Sequence, residues 1–410
     1  MLKIKRLLTA DQWAFVVTLL SFVFIGLSDR VDDIFDNAIS INAVVVSGSF
    51  ALVDTISQAI GRLGVYSYRV KRSQEGAHLT LNFISSLVVG LIVYALRVPI
   101  AHIFALAPDQ SQLLVSLLGL YVIYSTAHAM SDAVLEFAQL RGQIKQYNRA
   151  VAIFCATLIV ADSIIFFTLH DLTALYYSII GAWLVSSLAG MAMTRLAPRL
   201  PSFALMRYAL RYGMPLGFSG LFTKLANICS GALISRLGTT EYAIFTVCFS
   251  VSQGVEIVNN AFMVTLFSKI NQFKSAIGQA RHCRLTARRR FWLTLLFTAG
   301  FSAVYLLLVH GSVPLEATWP VVVFFVIASL VEYFYRVQLT LCVSQARTKV
   351  TIFSAIGGGL VRVAVFAWAI TQPHALYWVA AGIALDYATR YLICHHGVRD
   401  IWQRLRLRQG

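Results

Sequence analysis

Charge is scarce in this chain. Asp, Glu, Lys and Arg together make up 13% of its 410 residues, about half the globular average. So little charge excludes both a disordered chain and an ordinary soluble domain. Cysteine is equally uninformative: six residues, no C-x-x-C, and no disulfide framework. No His/Cys/carboxylate group has zinc spacing, and His395-His396 reads as an interfacial feature. No phosphate-binding glycine loop and no nucleophile motif occur, which argues against primary ATP-driven transport within this chain.

What the chain has in excess is apolar sequence, 58% of residues, with a mean hydropathy of +0.72. A spanning helix needs about 20 apolar residues, so twelve would take about 240. Apolar segments fall at 12–30, 38–66, 79–107, 112–139, 150–169, 174–194, 205–235, 242–268, 290–310, 318–345, 350–371 and 375–394. The start, MLKIKRLL, resembles the basic lead of a signal peptide. No small-residue cleavage site follows, so it reads as the cytoplasmic lead-in to the first span.

Charge of one sign is short: 18 acids against 34 bases, a net +16. Counting bases at span ends with the adjoining connection, twelve spans with a cytoplasmic N-terminus put 26 of the 34 bases in the termini and even-numbered connections. Only Arg30, Arg97 and Arg236 fall on the outer side, and five lie well inside spans. This is the positive-inside pattern. The net charge therefore marks topology, and the basic loop 269–290 needs no nucleic-acid partner. The expected setting is a bacterial cytoplasmic (inner) membrane, multi-pass, with both termini cytoplasmic, the chain being a monomer in the lipid bilayer.

The two halves echo each other. AISINAVVVSG at Ala38 resembles AIFTVCFSVSQ at Ala243, an offset of 205. LRGQIKQYNRAV resembles CVSQARTKVTI, and pairing Lys145 with Arg347 gives an offset of 202. Six spans per half give the halves the same orientation, as in parallel-repeat transporters. The expected lobes are 1–204 (spans one to six) and 205–410 (spans seven to twelve), divided at Pro198 and Pro201.

Twelve ionisable residues lie inside spans. At about 2.5–3.5 kcal/mol each, lipid exposure of all would cost about 30–40 kcal/mol. They must pair, reach an interface, or line water. Glu332–Arg336 and Asp386–Arg390 are acid-then-base at i, i+4, and read as structural pairs. Arg62 reads as snorkelling to the cytoplasmic surface, and Arg362 as pairing across helices. Asp132 and Glu136 share one face with the same sign, so a proton or cation must be shared or bound there. Asp162 stands alone in LIVADSIIFF. Glu256 with Asn259 and Asn260 places a carboxylate and two amides on one face, suited to a hard cation or a cationic ligand. Asp54 occupies the matching region of the second span. Lys224 reads as a salt-bridge partner or a cavity cation.

These residues resemble the multidrug and toxic compound extrusion (MATE) family, in the superfamily that also contains lipid-linked oligosaccharide flippases. Val31-Asp32-Asp33-Ile34-Phe35 resembles its VDTIF, and Arg236-Leu237-Gly238-Thr239 its RLGT. LRGQIKQYNRA and SQARTKV echo its LRGLGDTRTPM turn. LIVADSIIFF aligns with NIVLDYLLIFG, placing Asp162 on that Asp, and Gly213-Met214-Pro215 resembles the G-x-P opening the seventh span. Leu158 stands where the family often has Asn, and Lys224 lies in a span where an acid is expected.

The resemblance implies an all-α integral membrane fold of twelve transmembrane helices in two pseudo-symmetric six-helix lobes. It implies export of a cationic or amphipathic small molecule or peptide by alternating access, coupled to H⁺ or Na⁺ and without another cofactor. The coupling residues carried over are Asp32 and Asp162, joined on charge grounds by Asp132 and Glu136. Asp54, Glu256, Asn259, Asn260 and Lys224 are the expected substrate-cavity residues. The flippase branch is the alternative. A membrane prenyltransferase is a minor one, from the D-D-x-x-D string Asp32-Asp33-Ile34-Phe35-Asp36 with Asp132/Glu136 as a second acidic motif. The charge topology sets those two motifs on opposite sides of the membrane.

Overall fold

The computed structural model describes residues 41–104, 106–169, 171–234, 244–245, 259, 262–263, 266–267, 269–270, 273–309 and 315–407. Among them every regular element is helical and no strand occurs. Asp32, Glu256, Asn260, the 12–30 segment and most of 242–268 lie outside the described residues.

Helices follow the apolar runs, and breaks fall where the runs are interrupted. α1 (Ile41–Gly61) stops at Arg62 and restarts as α2 (Leu63–Val70). α3 (Glu75–Ala95) and the short α4 (Arg97–Ile103) follow. α5 (Pro108–Gly119) has proline in its first turn, where the missing N–H costs nothing. It meets α6 (Tyr121–Leu140) at a bend of 55°, so the 112–139 span is a broken one. α7 (Ile144–Thr168) and α8 (Leu172–Thr194) complete this series, with Asp171 capping α8 by accepting from the Ala174 N–H. α9 (Phe203–Tyr208) runs through a π turn, Ala209–Gly213, into α10 (Met214–Ile234). The second half holds α11 (Ala276–Val309), α12 (Leu315–Ser344), α13 (Thr348–Ala369), α14 (Ala375–Gly397) and α15 (Arg399–Leu407). Five helices are long and apolar enough to cross a membrane, or six if α5–α6 is one span, among the described residues. Large apolar side chains such as Phe167 and Trp292 are left exposed on the outside, as a bilayer-facing surface requires.

One expectation changes. From Ala276 onward the basic segment 269–290 is not a loop but the first turns of α11. Arginine is a good helix former, and after Gly278 nothing there breaks the run.

The chain forms two compact units, Met1–Gly217 and Phe218–Gly410, so the division in sequence falls within α10. In the first unit α6 packs on α3 and α8, and α7 on α8. Phe50 is the core aromatic, edge-on to Tyr121, Tyr124 and Tyr176 at 4.7–5.5 Å. In the second, α14 packs on α12 and α13 around Phe325, Phe366, Val379 and Ile383. The amphipathic α15 buries Ile401 and Leu405 against Ala280, Cys342 and Cys394. Arg347 pins it through Asp400 (2.9 Å), and that hydrogen bond holds the Asp400 carboxyl below its usual range.

The internal repeat is most exact at two turns. Gly142 (φ 75°) and Ala346 (φ 55°) are both left-handed. Gln143 N–H donates to Ala138 O (2.8 Å) and Arg347 N–H to Cys342 O (2.9 Å), the same helix-ending hydrogen bond. Gln143 and Arg347 then start the next helices with φ/ψ of −82/54 and −83/54. The equivalence is Gln143 with Arg347, an offset of 204, which corrects the pairing of Lys145 with Arg347. Sequence likeness alone lies two residues off this register, because the turn's geometry, not its side chains, carries the match. Ala346 holds a conformation that suits glycine. Ala346→Gly is therefore expected to stabilise the protein by up to about 1 kcal/mol. A thermal-shift measurement in detergent checks this, and a lowered midpoint would refute it.

Candidate functional site

The first unit holds a row of polar groups along α1, α2 and α6, buried at Asp54 and half-buried at His128, Asp132, Arg62 and Glu136. Asp54 on α1, 8% exposed, accepts from Tyr121 Oη (2.8 Å) and from Gln58 Nε2 one turn along (3.1 Å). Its other oxygen lies 3.4 Å from His128 Nδ1. His128 Nε2 lies 3.3 Å from Asp132 Oδ2, which also receives Arg62 at 2.8 Å. One turn further, Glu136 is gripped by both Arg69 Nε and Nη2, the latter at 2.8 Å. Trp183 from α8 stacks on the His128 ring at 4.2 Å, 5° from parallel.

Two expectations are corrected here. Arg62 does not snorkel away. The helix break at Arg62 turns its side chain toward α6, and it pairs with Asp132. Asp132 and Glu136 do share a face, but each carboxylate has its own arginine, so like-charge repulsion no longer demands a shared proton or metal. No group of three or more His, Cys, Asp or Glu side chains is placed to hold a metal ion among the described residues. His128 escaped the sequence reading. Its signal is the i, i+4 spacing to Asp132 within YSTAHAMSDAVLEF, but a histidine carries no formal charge at pH 7 and does not stand out beside the Asp, Glu, Lys and Arg of the spans.

Asp162 sits apart from this row. It is fully buried on α7 and accepts from Ser178 Oγ on α8; its Oδ2 has no hydrogen-bond partner in the structure.

The second unit carries the other two clusters. Asp386 on α14 lies between Arg390, one turn along, and Arg362 from α13 at 2.5 Å. All three are at most 4% exposed. Arg390 also donates to Thr223 Oγ1 (2.7 Å), and Arg362 to Asn227 Oδ1. Gly358 makes the room: a Cβ there would strike Asp386 Oδ1 and the Arg390 side chain. Both i, i+4 pairs are present, and Arg362 does pair across helices. Arg336 Nε donates to Glu332 Oε1 (2.7 Å), and Asn259 Nδ2 donates to Glu332 Oε2 (3.0 Å). Lys224 lies on α10 with its side chain exposed.

The structure thus brings Asp54 and Asp132 together through His128, and leaves Asp162 apart, buried against Ser178 of α8.

The sequence matches no family model and no curated protein. Solved structures do match along nearly the whole chain. The Vibrio cholerae MATE transporter VcmN, solved as a mutant, is 12% identical with a TM-score of 0.76 over 95% of this chain and 96% of that one. A MATE transporter in complex with MaD5 is 14% identical with a TM-score of 0.74, covering 97% of each. A MOP superfamily transporter from Pyrococcus furiosus, described as having a binding pocket of reversed polarity that suggests a different function, is 13% identical with a TM-score of 0.72 over 96% of each. At these identities the likeness is one of fold. The chain is a multi-pass membrane protein with the fold of the MATE transporters.

Proposed function

We propose that this chain is a transporter and not an enzyme: a secondary active exporter, driven by H⁺ or Na⁺ entry, that moves a cationic or amphipathic small molecule or peptide by alternating access. The observation that carries the reading is the row Asp54–His128–Asp132–Arg62. Buried ionisable groups inside membrane helices are costly, and those kept there mark ion or substrate pathways. The whole-chain likeness to MATE structures supports the same reading. Asp162 is a second candidate for holding the coupling cation, because it is fully buried inside a membrane helix and one of its oxygens has no hydrogen bond. Asp32 keeps its proposed coupling role on the resemblance alone. For the coupling to work, the cation must bind the two states of the carrier with different affinities.

The test uses the chain reconstituted in proteoliposomes, with ethidium as the probe and an imposed pH or Na⁺ gradient. Gradient-driven efflux is expected from the wild type, with at least a tenfold loss in Asp162→Asn. Unchanged efflux in that variant removes Asp162 from the coupling site. Efflux that needs no gradient removes the antiport reading.

One observation favours a second reading. In the second unit two buried guanidiniums face the single carboxylate of Asp386, an excess of positive charge suited to an anionic headgroup. A flippase of lipid-linked oligosaccharides would need such cations. Rescue of a strain lacking its lipid-linked glycan flippase, lost in Arg362→Met, would establish that reading over multidrug export.

A further inference from the structure

The two halves of the chain treat one pair of positions differently. In the register set by the turns at Gly142 and Ala346, an offset of 204, His128 corresponds to Glu332 and Asp132 to Arg336. Both halves therefore carry an acid–base pair at i, i+4 on equivalent helices, in opposite order. Both pairs receive a polar side chain from elsewhere in their own unit: Asp54 at His128, and Asn259 at Glu332. The difference is the base. Arginine does not release its proton, so Glu332–Arg336 is a permanent ion pair. Imidazole takes up and releases a proton within the ordinary pH range.

His128 is built to be satisfied in both states. Protonated, both ring nitrogens are donors, and both face carboxylates: Nδ1 toward Asp54 at 3.4 Å, Nε2 toward Asp132 at 3.3 Å. Deprotonated at Nδ1, the ring needs a donor, and Gln58 Nε2 lies 3.3 Å from that nitrogen. Asp54 then keeps its hydrogen bonds from Tyr121 and Gln58. Trp183 stacked on the ring adds a preference for the cation. The charged row Asp54, His128, Asp132 and Arg62 is neutral with the imidazolium and carries one negative charge without it. Among the described residues, the other titratable or charged groups that face this row are Glu136 and Tyr124 from α6 itself, Arg69 and Tyr66 from α2 and Tyr147 from α7. Arg69 is engaged with Glu136, and Tyr147 lies within electrostatic reach of Asp132 and Glu136.

We infer that His128 is the proton-binding residue of the first unit, exchanging a proton at Nδ1 between an Asp54-paired state and a Gln58-bonded state. This rests on the cation-coupled reading above and deepens it: the coupling ion is H⁺, and the site lies on α1 and α6, distinct from Asp162. On uptake a proton from one side of the membrane forms the Nδ1–H bond; on release it returns to water on the other. No other bond changes.

Two measurements on the full-length chain test this. The first reads Trp183 emission as the difference between wild type and Trp183→Phe in detergent from pH 5 to 10. A single transition is expected, quenched on the acid side. It should vanish in His128→Gln and shift to lower pH by about 1–3 units in Asp54→Asn, where the paired anion is gone. Absence of a transition, or one that persists in His128→Gln, overturns the proposal. The second is ethidium efflux from proteoliposomes under a pH gradient without Na⁺. His128→Gln, confirmed monodisperse by size exclusion, is expected to lose at least tenfold, whereas wild-type flux in that variant overturns the proposal. If the wild type moves no ethidium, the exporter reading fails for that probe, and the Trp183 titration decides the proton site by itself.

Discussion

Asp386→Asn is expected to collapse the yield of folded protein. The carboxylate is fully buried between Arg362 and Arg390, themselves 4% and 2% exposed. Removing its charge leaves two guanidiniums facing each other in a low-dielectric interior. Breaking a buried pair by removing one partner costs about 3–5 kcal/mol, and here one acid serves two bases, which puts the loss at the upper end. Against a total stability of about 5–15 kcal/mol, most molecules would fail to reach or hold the native state. Arg362→Met should be milder, since Asp386 then keeps Arg390 at one turn's distance. The double variant Asp386→Asn/Arg362→Met should recover part of the loss, because it removes one of the stranded cations. Thermal midpoints of detergent-solubilised protein measure all three. Equal losses in Asp386→Asn and Arg362→Met would show that the cluster does not work as a shared ion pair.

The second large effect is Gly64→Val. A Cβ at Gly64 would run into the backbone of α3, at His78 O and Asn82 N. Backbone cannot step aside as a flexible side chain does, so α2 and α3 must separate. Overpacking typically costs about 1–3 kcal/mol and occasionally more. The consequence reaches further than packing. Asn82 bridges the two helices by accepting from Val65 N–H (3.2 Å) and donating to Ala129 O (2.7 Å). Ala129 is the neighbour of His128. Moving α3 therefore loosens the clamp that sets the height of the imidazole against Asp54. A lowered thermal midpoint is expected together with a weakened Trp183 response to pH. A variant as stable as wild type would show that the close approach of α2 and α3 is not needed.

Much of the fold was legible in the sequence. Low charge and long apolar runs dictate helices, because backbone polar groups in lipid must be satisfied within the segment. The turn at LRGQIKQYNRA and its echo at SQARTKV showed where helices stop. The pairs Glu332–Arg336 and Asp386–Arg390 were readable because i, i+4 neighbours meet on any helix. Single-helix geometry reaches no further than that. It showed Asp132 and Glu136 as a repelling pair, since the arginines that answer them come from elsewhere: Arg62 from the α1–α2 break and Arg69 from the last turn of α2. It passed over His128, whose second carboxylate is Asp54, far away in sequence.

The chain's composition and long apolar runs by themselves determined a helical membrane protein, a consequence of local physics: hydrophobic transfer of each segment and hydrogen bonding within each helix. Beyond the two i, i+4 pairs, only the tertiary structure decided which charges neutralise which. A buried charge takes whatever partner the packing of separate helices brings within about 3 Å, and no local pattern encodes that distance. It also decided that, at equivalent positions, one half holds a permanent ion pair and the other an imidazole between two carboxylates.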